Sequence, residues 1–75
     1  MDNNFSFAIM EHIATVSTSK RSTLELNYVS FNGAPAKLDL RRWGTDEETG
    51  ARIPFKGISM SDDEFAALKA TIERM

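Results

Sequence analysis

The chain contains no cysteine and a single histidine among its 75 residues. Without thiolates, neither a disulfide nor a cysteine-based zinc site can support the small core of such a chain. No apolar run approaches the ~20 residues of a membrane span, and no signal-peptide pattern follows Met1. These absences predict a soluble protein with a cytoplasmic location.

Groups suited to catalysis are equally scarce. His12 is the lone histidine, and the glycines at positions 33, 44, 50 and 57 are too scattered to form a phosphate-binding loop. Asp46-Glu47-Glu48 lacks the spacing of a calcium loop, so a solvated acidic loop is the favoured interpretation. The sequence therefore predicts a protein that is not an enzyme and that has no metal, cofactor or small-molecule substrate.

The length of the chain predicts one domain over residues 1–75. A chain this short buries only ~60% of its unfolded surface, which leaves a marginal core. Association with a second copy is a common remedy where disulfides and metals are absent. We therefore expect a homodimer.

Charge is unevenly distributed along the chain, whose net charge is −2. Residues 20–43 carry five cationic and two acidic side chains, whereas residues 61–75 carry two cationic and four acidic ones. A local basic surface of this kind can bind nucleic acid with strong salt sensitivity. On charge alone, an ordinary mixed surface is the favoured interpretation.

Hydrophobic periodicity predicts four strands followed by one helix. Alternating apolar residues indicate a long first strand from Phe5 to Val16, with a bulge or bend near Glu11. Asn32-Gly33 is a strong turn signal between the second and third strands. Ser61 and Glu64 form a capping box at the start of the helix. The other predicted segments are strands at Thr23–Phe31, Lys37–Trp43 and Ile53–Ser59, and a helix from Asp62 to the C-terminus. The fold class is α+β, an antiparallel sheet with ββββα order.

Alternation also divides the third strand between two faces of the sheet. Leu38 and Leu40 point to one face, and Arg41 and Trp43 to the other, together with Lys37 and Asp39. One short helix can cover only one face. The face with Arg41 and Trp43 is therefore expected to be solvated, covered by a ligand or buried against a second subunit.

Cations and aromatics are interleaved on this second face. Trp43 beside Arg41 could stack on a base while the cation holds phosphate, although tryptophan more commonly packs in a core or a dimer interface. Phe31 is either a second stacking platform or a cap on the hairpin. Lys56 beside Gly57 is either a phosphate ligand or a strand-edge lysine that prevents aggregation.

The order of three motifs resembles a known family. These are Glu25–Asn32, Asp39-Leu40-Arg41-Arg42-Trp43, and Lys56-Gly57-Ile58-Ser59-Met60 followed by Phe65 and Leu68. They resemble the C-terminal DNA-binding domain of the transcriptional positive cofactor four family, and most of all its small bacterial YdbC-like branch. The resemblance covers the chain from about Phe5 to Glu73.

The resemblance implies a curved four-stranded sheet, dimerisation through the helix and strand ends, and binding of single-stranded DNA with little sequence preference. It also implies a coactivator-like role in transcription regulation or in DNA maintenance, in a bacterium or a phage. Arg41, Trp43 and Lys56 match binding positions of the family, Phe31 matches a stacking position, and Lys37 lies where basic residues are common. Two alternatives remain open, namely a dimeric protein-interaction module and a single-stranded RNA binder.

Overall fold

The computed structural model describes residues 5–75, which form one antiparallel sheet and one helix. The strands follow each other in the order β1-β2-β3-β4, and the predicted ββββα arrangement is confirmed. Within residues 5–75, α1 has 12 residues, and no helix is long and apolar enough to cross a membrane. The elements are β1 (Phe7–Thr18), β2 (Thr23–Phe31), β3 (Lys37–Thr45), β4 (Arg52–Met60) and α1 (Asp62–Glu73).

The predicted turn at Asn32-Gly33 closes the end of β2. Asn32 and Gly33 both have positive φ, 54° and 78°, as a type I′ turn requires. The N–H of Ala34 donates to the carbonyl of Phe31 at 3.0 Å. The side-chain oxygen of Asn32 also accepts from the N–H of Ser6 at 2.8 Å, so the turn fixes the start of β1.

Bulges bend the first strand strongly. The β1–β2 pairing has three irregularities, and one lies between Ile9 and Glu11, where the sequence predicts it. Phe7 pairs with Phe31 at one end of β2, and Trp43 pairs with Thr23 at the other end. A flat strand would place these ends about 26 Å apart, at ~3.3 Å per residue. The rings of Phe7 and Trp43 nevertheless lie 5.1 Å apart, which requires a strongly curled sheet.

A bulge in the β3–β4 pairing accompanies a close approach of the two strands. Gly57 lies opposite Arg41, and the pairing shifts before Trp43 meets Pro54. A Cβ on Gly57 would lie 2.5 Å from the Cβ of Arg41 and 2.6 Å from its Cα. Gly57 therefore combines a bulge with a close approach of two backbones.

Helix α1 covers one face of the sheet only in part. Its capping box is confirmed, with the Ser61 hydroxyl accepting from the Glu64 N–H and the Glu64 carboxylate accepting from the Ser61 N–H. Phe65 is half-buried, whereas Ile72, two turns farther along the helix, is exposed. We call the side of the sheet that carries Leu26, Leu38 and α1 the helix face.

The opposite side of the sheet contains most of the deeply buried residues, and we call it the ion-pair face. It carries Glu25, Asn27, Asp39, Arg41 and Trp43, which occupy paired positions on β2 and β3. Asn27 and Asp39 are 0% exposed, and Trp43 is 1% exposed. The expectation that solvent, a ligand or a subunit covers this face is wrong for the part around Asn27, Asp39 and Trp43, which the curl of the sheet covers, whereas Phe31 and Arg41 remain half-buried and Lys37 exposed.

Candidate nucleic-acid interface

Four aromatic rings follow one another along the curled ion-pair face. Ring centroids are 5.1 Å apart for Trp43 and Phe7, 6.4 Å for Phe7 and Phe5, and 6.0 Å for Phe5 and Phe31. These are ordinary distances for tilted aromatic pairs. We call Trp43, Phe7, Phe5 and Phe31 the aromatic row. The row joins residues from three strands or their flanks, which the curl of the sheet makes possible.

One guanidinium lies at each end of the aromatic row. The Cζ of Arg41 lies 4.9 Å from the centroid of Phe31, and the Cζ of Arg52 lies 5.1 Å from that of Trp43. Both distances are within the range of cation–π attraction. The site therefore combines a row of aromatic rings with a planar hydrogen-bond donor at each end. Bases interact with both kinds of group, by stacking and by hydrogen bonding.

Three hydrogen bonds hold the guanidinium of Arg41 in place. Its Nε donates to Asp39 Oδ1 at 3.0 Å and its Nη2 to Asp39 Oδ2 at 2.8 Å, a bidentate ion pair. Its Nη1 donates to the carbonyl of Phe55 at 3.0 Å. The hydroxyl of Ser59 donates to Asp39 Oδ2 at 2.8 Å, so the buried carboxylate is itself held in place.

Glu25 organises the other end of the site. It accepts from the Thr23 hydroxyl at 2.5 Å, from Asn27 Nδ2 at 3.2 Å and from Arg52 Nη2 at 2.7 Å. Burial tends to raise the pKa of Glu25, but these hydrogen bonds and the charge of Arg52 outweigh it. The pKa of Glu25 therefore lies below its ordinary value of 4.5.

His12 connects β1 to this network. Its Nδ1 lies 2.6 Å from Asn27 Oδ1, which only accepts, so Nδ1 carries the donated proton. Its Nε2 lies 3.2 Å from the Thr15 hydroxyl. The histidine thus has a structural role in this conformation, joining the first strand to the buried amide of Asn27.

Trp43 packs inside the protein. The sequence left this open as the alternative to stacking on a base. Phe7 and Arg52 lie against its ring, and the side chain is almost wholly buried. Its Nε1 is buried and has no hydrogen-bond partner among residues 5–75. For the ring of Trp43 to stack on a base, Phe7 or Arg52 would have to move aside.

The two lysines predicted for the site lie apart from its centre. Lys37 is exposed at the start of β3, opposite Val29. Lys56 is exposed and precedes Gly57, whose missing Cβ would point at Arg41. Because neighbouring side chains alternate, Lys56 projects from the other side of the sheet to Arg41. The structure thus brings Phe31 and Arg41 together and leaves the lysines at the periphery.

Sequence reasoning missed Phe5, Phe7 and Arg52 as parts of this surface. Phe5 and Phe7 were assigned to a strand, and their face could be found only from the pairing Phe7–Phe31. Arg52 lies one residue before the predicted start of the fourth strand, and it pairs with Thr45 beside Trp43. Alternation from Ile58 would have placed Arg52 on the helix face, and only the bulge between Arg41 and Trp43 turns it to the ion-pair face.

An open cleft of about 850 Å³ continues the site between the β1–β2 and β3–β4 loops. Lys20, Arg21 and Arg52 line it, together with the acidic residues Glu25, Asp46 and Glu47. Its charges are therefore mixed. The cleft extends the surface without making it strongly basic.

The chain is similar in sequence to known proteins. The sequence profile of the family described as Transcriptional Coactivator p15 (PC4) matches residues 18–71. The chain is also similar to an uncharacterised protein of Treponema pallidum (strain Nichols), with 30% identity over 76 aligned positions. That alignment covers 100% of this chain and 85% of the Treponema protein.

Proposed function

We propose, from the premise that the chain belongs to the transcriptional coactivator p15 (PC4) family, that it binds single-stranded DNA through the aromatic row and its two flanking arginines. The family is known for single-stranded DNA binding and for transcription coactivation, and it is a non-enzymatic family. The observation that carries the proposal is the guanidinium of Arg41, whose Cζ lies over the ring of Phe31 at 4.9 Å from its centroid. Sequence-tolerant binders use such flat surfaces because every base has a π-face.

The proposed roles follow from exposure and contacts. Phe31, which is half-buried, offers the stacking surface, and Arg41 lies against it. Lys37, exposed on the same face as Arg41, binds phosphate along the strand, whereas Lys56, which projects from the other side of the edge strand β4, binds phosphate only where the DNA passes around that edge. Trp43 stacks on a base only when Phe7 or Arg52 moves aside. Otherwise its ring packs against these two side chains.

We propose further that the working form is a homodimer joined through the helix face. Ile58 and Ile72 remain more than half exposed, and Ile13 is 41% exposed. Ile13, Leu38 and Phe65 line an open groove of about 400 Å³ on the same face. Contiguous apolar surface of this kind is unusual on a monomer, and a second copy of the chain would bury it.

Fluorescence anisotropy of a labelled oligo-dT tests the proposal. We expect saturable binding at low salt that weakens at high salt and that a duplex of equal length does not displace. Phe31→Ala should weaken binding, with a loss of ~1–3 kcal/mol for one stacked base. Phe55→Ala is a matched control, because the exposed Phe55 ring lies outside the aromatic row and the change keeps the backbone carbonyl that holds Arg41. Absence of binding at low salt would contradict the proposed function.

An oligo-U competitor separates DNA from RNA in the same assay. Stacking and phosphate contacts are common to both nucleic acids, so the aromatic row by itself favours neither. Family membership favours DNA. Tighter competition by oligo-U than by unlabelled oligo-dT would transfer the proposal to single-stranded RNA.

A further inference from the structure

The charge of Arg41 is already matched inside the protein. Its guanidinium makes a bidentate pair with Asp39, whose side chain is 0% exposed, and the Arg41 side chain itself is only 16% exposed. Ser59 and the carbonyl of Phe55 complete the arrangement. Arg41 and Asp39 therefore form one neutral unit, held from several directions.

A neutral unit differs from a free cation in its response to salt. Binding of a single strand releases condensed counterions, and the logarithm of affinity falls with the logarithm of salt by ~0.7 for each phosphate neutralised. An arginine whose charge is compensated at 2.8 Å adds little to that slope. Its contribution must come from its shape and its hydrogen-bond donors.

The geometry leaves Arg41 the means to make such a contribution. Three of its five N–H groups are used by Asp39 and Phe55, which leaves two without a partner among residues 5–75. The three hydrogen bonds to Asp39 and Phe55 fix the guanidinium plane, and its Cζ lies over the ring of Phe31. Guanidinium planes stack on bases, and their donors match the acceptors on base edges.

Lys37 is the natural contrast on the same strand. It is exposed and makes no side-chain hydrogen bond or ion pair within residues 5–75. An unpaired ammonium on a flexible stem is a point charge suited to phosphate. On the ion-pair face, β3 therefore presents one uncompensated cation, Lys37, and one charge-compensated guanidinium, Arg41.

We propose that Asp39 is a positioning residue that holds Arg41 as a charge-compensated plate on Phe31, so that Arg41 contacts an unpaired base while Lys37 binds phosphate. The inference rests on the proposed function, and it assigns base contact to Arg41 and phosphate binding to Lys37. Asp39 makes no contact with the nucleic acid. It acts through the orientation and the compensated charge of Arg41.

The decisive variant exchanges the ion pair for a neutral pair of similar shape, Asp39→Asn with Arg41→Gln. This double change buries no unpaired charge, and the glutamine amide can still donate to the asparagine oxygen. We expect affinity for oligo-dT to fall about tenfold, as for one lost stacking contact, while the salt slope stays that of the wild type. Lys37→Gln is the matched control, and it should reduce the slope by ~0.7.

Four outcomes would overturn the inference. A double variant whose slope falls by ~0.7 would make Arg41 a phosphate ligand. A double variant with wild-type affinity would remove Arg41 from the interface, and an unchanged slope in Lys37→Gln would remove Lys37 from the phosphates. Failure of the wild type to bind oligo-dT overturns the proposed function as well, which distinguishes it from the other three.

Arg41→Lys tests the inference independently, and it does so even if the double variant does not fold. Lysine keeps the positive charge and loses the plane and the bidentate fork. We expect Arg41→Lys to lose affinity by about tenfold at unchanged slope, with circular dichroism confirming the fold. Wild-type affinity in Arg41→Lys would show that charge alone suffices and would overturn the inference.

Discussion

The two faces of the sheet are buried by different means. The ion-pair face has no covering layer, yet the curl of β1 and its own ion pairs leave Asn27, Asp39 and Trp43 almost without exposure. The helix face has a covering helix, yet Ile58 and Ile72 remain more than half exposed. The helix face is thus less completely buried than the ion-pair face.

This difference assigns the two faces different dependences on a second copy of the chain. Residues of the ion-pair face are buried within one copy, so changes there should act on the stability of the monomer. Residues of the helix face have apolar area still to bury, so changes there should act on association. Four predictions test this division.

The largest effect is expected from Trp43→Ala on the ion-pair face. Removal of a buried indole from a core costs ~3–5 kcal/mol, which exceeds what a marginal domain of this size can lose. Thermal or urea unfolding followed by circular dichroism measures the loss. Trp43→Phe is the matched control and should cost less, because it keeps a ring and removes the unpaired Nε1–H.

The opposite result for Trp43 would change the comparison. If Trp43→Ala keeps wild-type stability and loses oligo-dT binding, the tryptophan belongs to an open stacking surface. The ion-pair face would then be open to solvent around Trp43. The same two measurements on one variant therefore separate packing from stacking.

A smaller loss of stability is expected from Gly57→Ala. The added Cβ would meet backbone and side-chain atoms of Arg41 at 2.5–2.6 Å, so β3 and β4 must separate. Overpacking of this kind costs ~1–3 kcal/mol and should also displace Arg41 from Asp39. Gly33→Ala is the control, because its cost arises only from positive φ, with nothing within 4 Å of the new Cβ.

Urea unfolding of both glycine variants, together with oligo-dT affinity, checks this prediction. Gly57→Ala should lose stability and affinity together, whereas Gly33→Ala should lose only stability. Equal affinity losses in the two variants would mean that the contact between Gly57 and Arg41 does not position the site.

The helix face is tested by Ile58→Glu. Ile58 is 58% exposed, so a glutamate there should leave the unfolding of an isolated copy nearly unchanged. In a dimer joined through the helix face, the charge would be buried and should weaken association by about tenfold or more. Sedimentation velocity over a range of concentrations measures it, with Thr45→Glu, exposed on β3 beside Trp43 and paired with Arg52, as the control on the ion-pair face. An equal effect of both changes would place the interface elsewhere.

Local patterns predicted the elements of the fold because each depends on neighbouring residues. The alternation in β2 gave its bounds, Thr23–Phe31, and the Ser61–Glu64 capping box gave the start of the helix. Asn32-Gly33 gave the turn because only residues tolerant of positive φ fit there. None of these signals requires knowledge of distant contacts.

The curl of the sheet was beyond such patterns. The contact of Phe7 with Trp43 arises from three irregularities in the β1–β2 pairing, of which the sequence indicated one. Bulges depend on how two distant strands fit, so alternation within one strand does not reveal them. For this reason Arg41 and Phe31 were predicted as parts of the site, whereas their contact and the role of Arg52 were not.

The smallest expected effect concerns pH and the Glu25 network on the ion-pair face. Hydrogen bonds from Thr23 and Asn27 and the charge of Arg52 hold the pKa of Glu25 below 4.5, although burial opposes them. A depressed pKa stabilises the folded state above 4.5, and this contribution is lost as pH falls through the folded-state pKa. The difference in unfolding free energy between the wild type and Glu25→Gln should therefore shrink as pH falls below 4.5. Urea titrations at stepwise lower pH measure that difference, with the exposed Glu47→Gln as the control that should show none. A difference that stays constant through this pH range would mean that Glu25 is held by packing and not by its ionised hydrogen bonds.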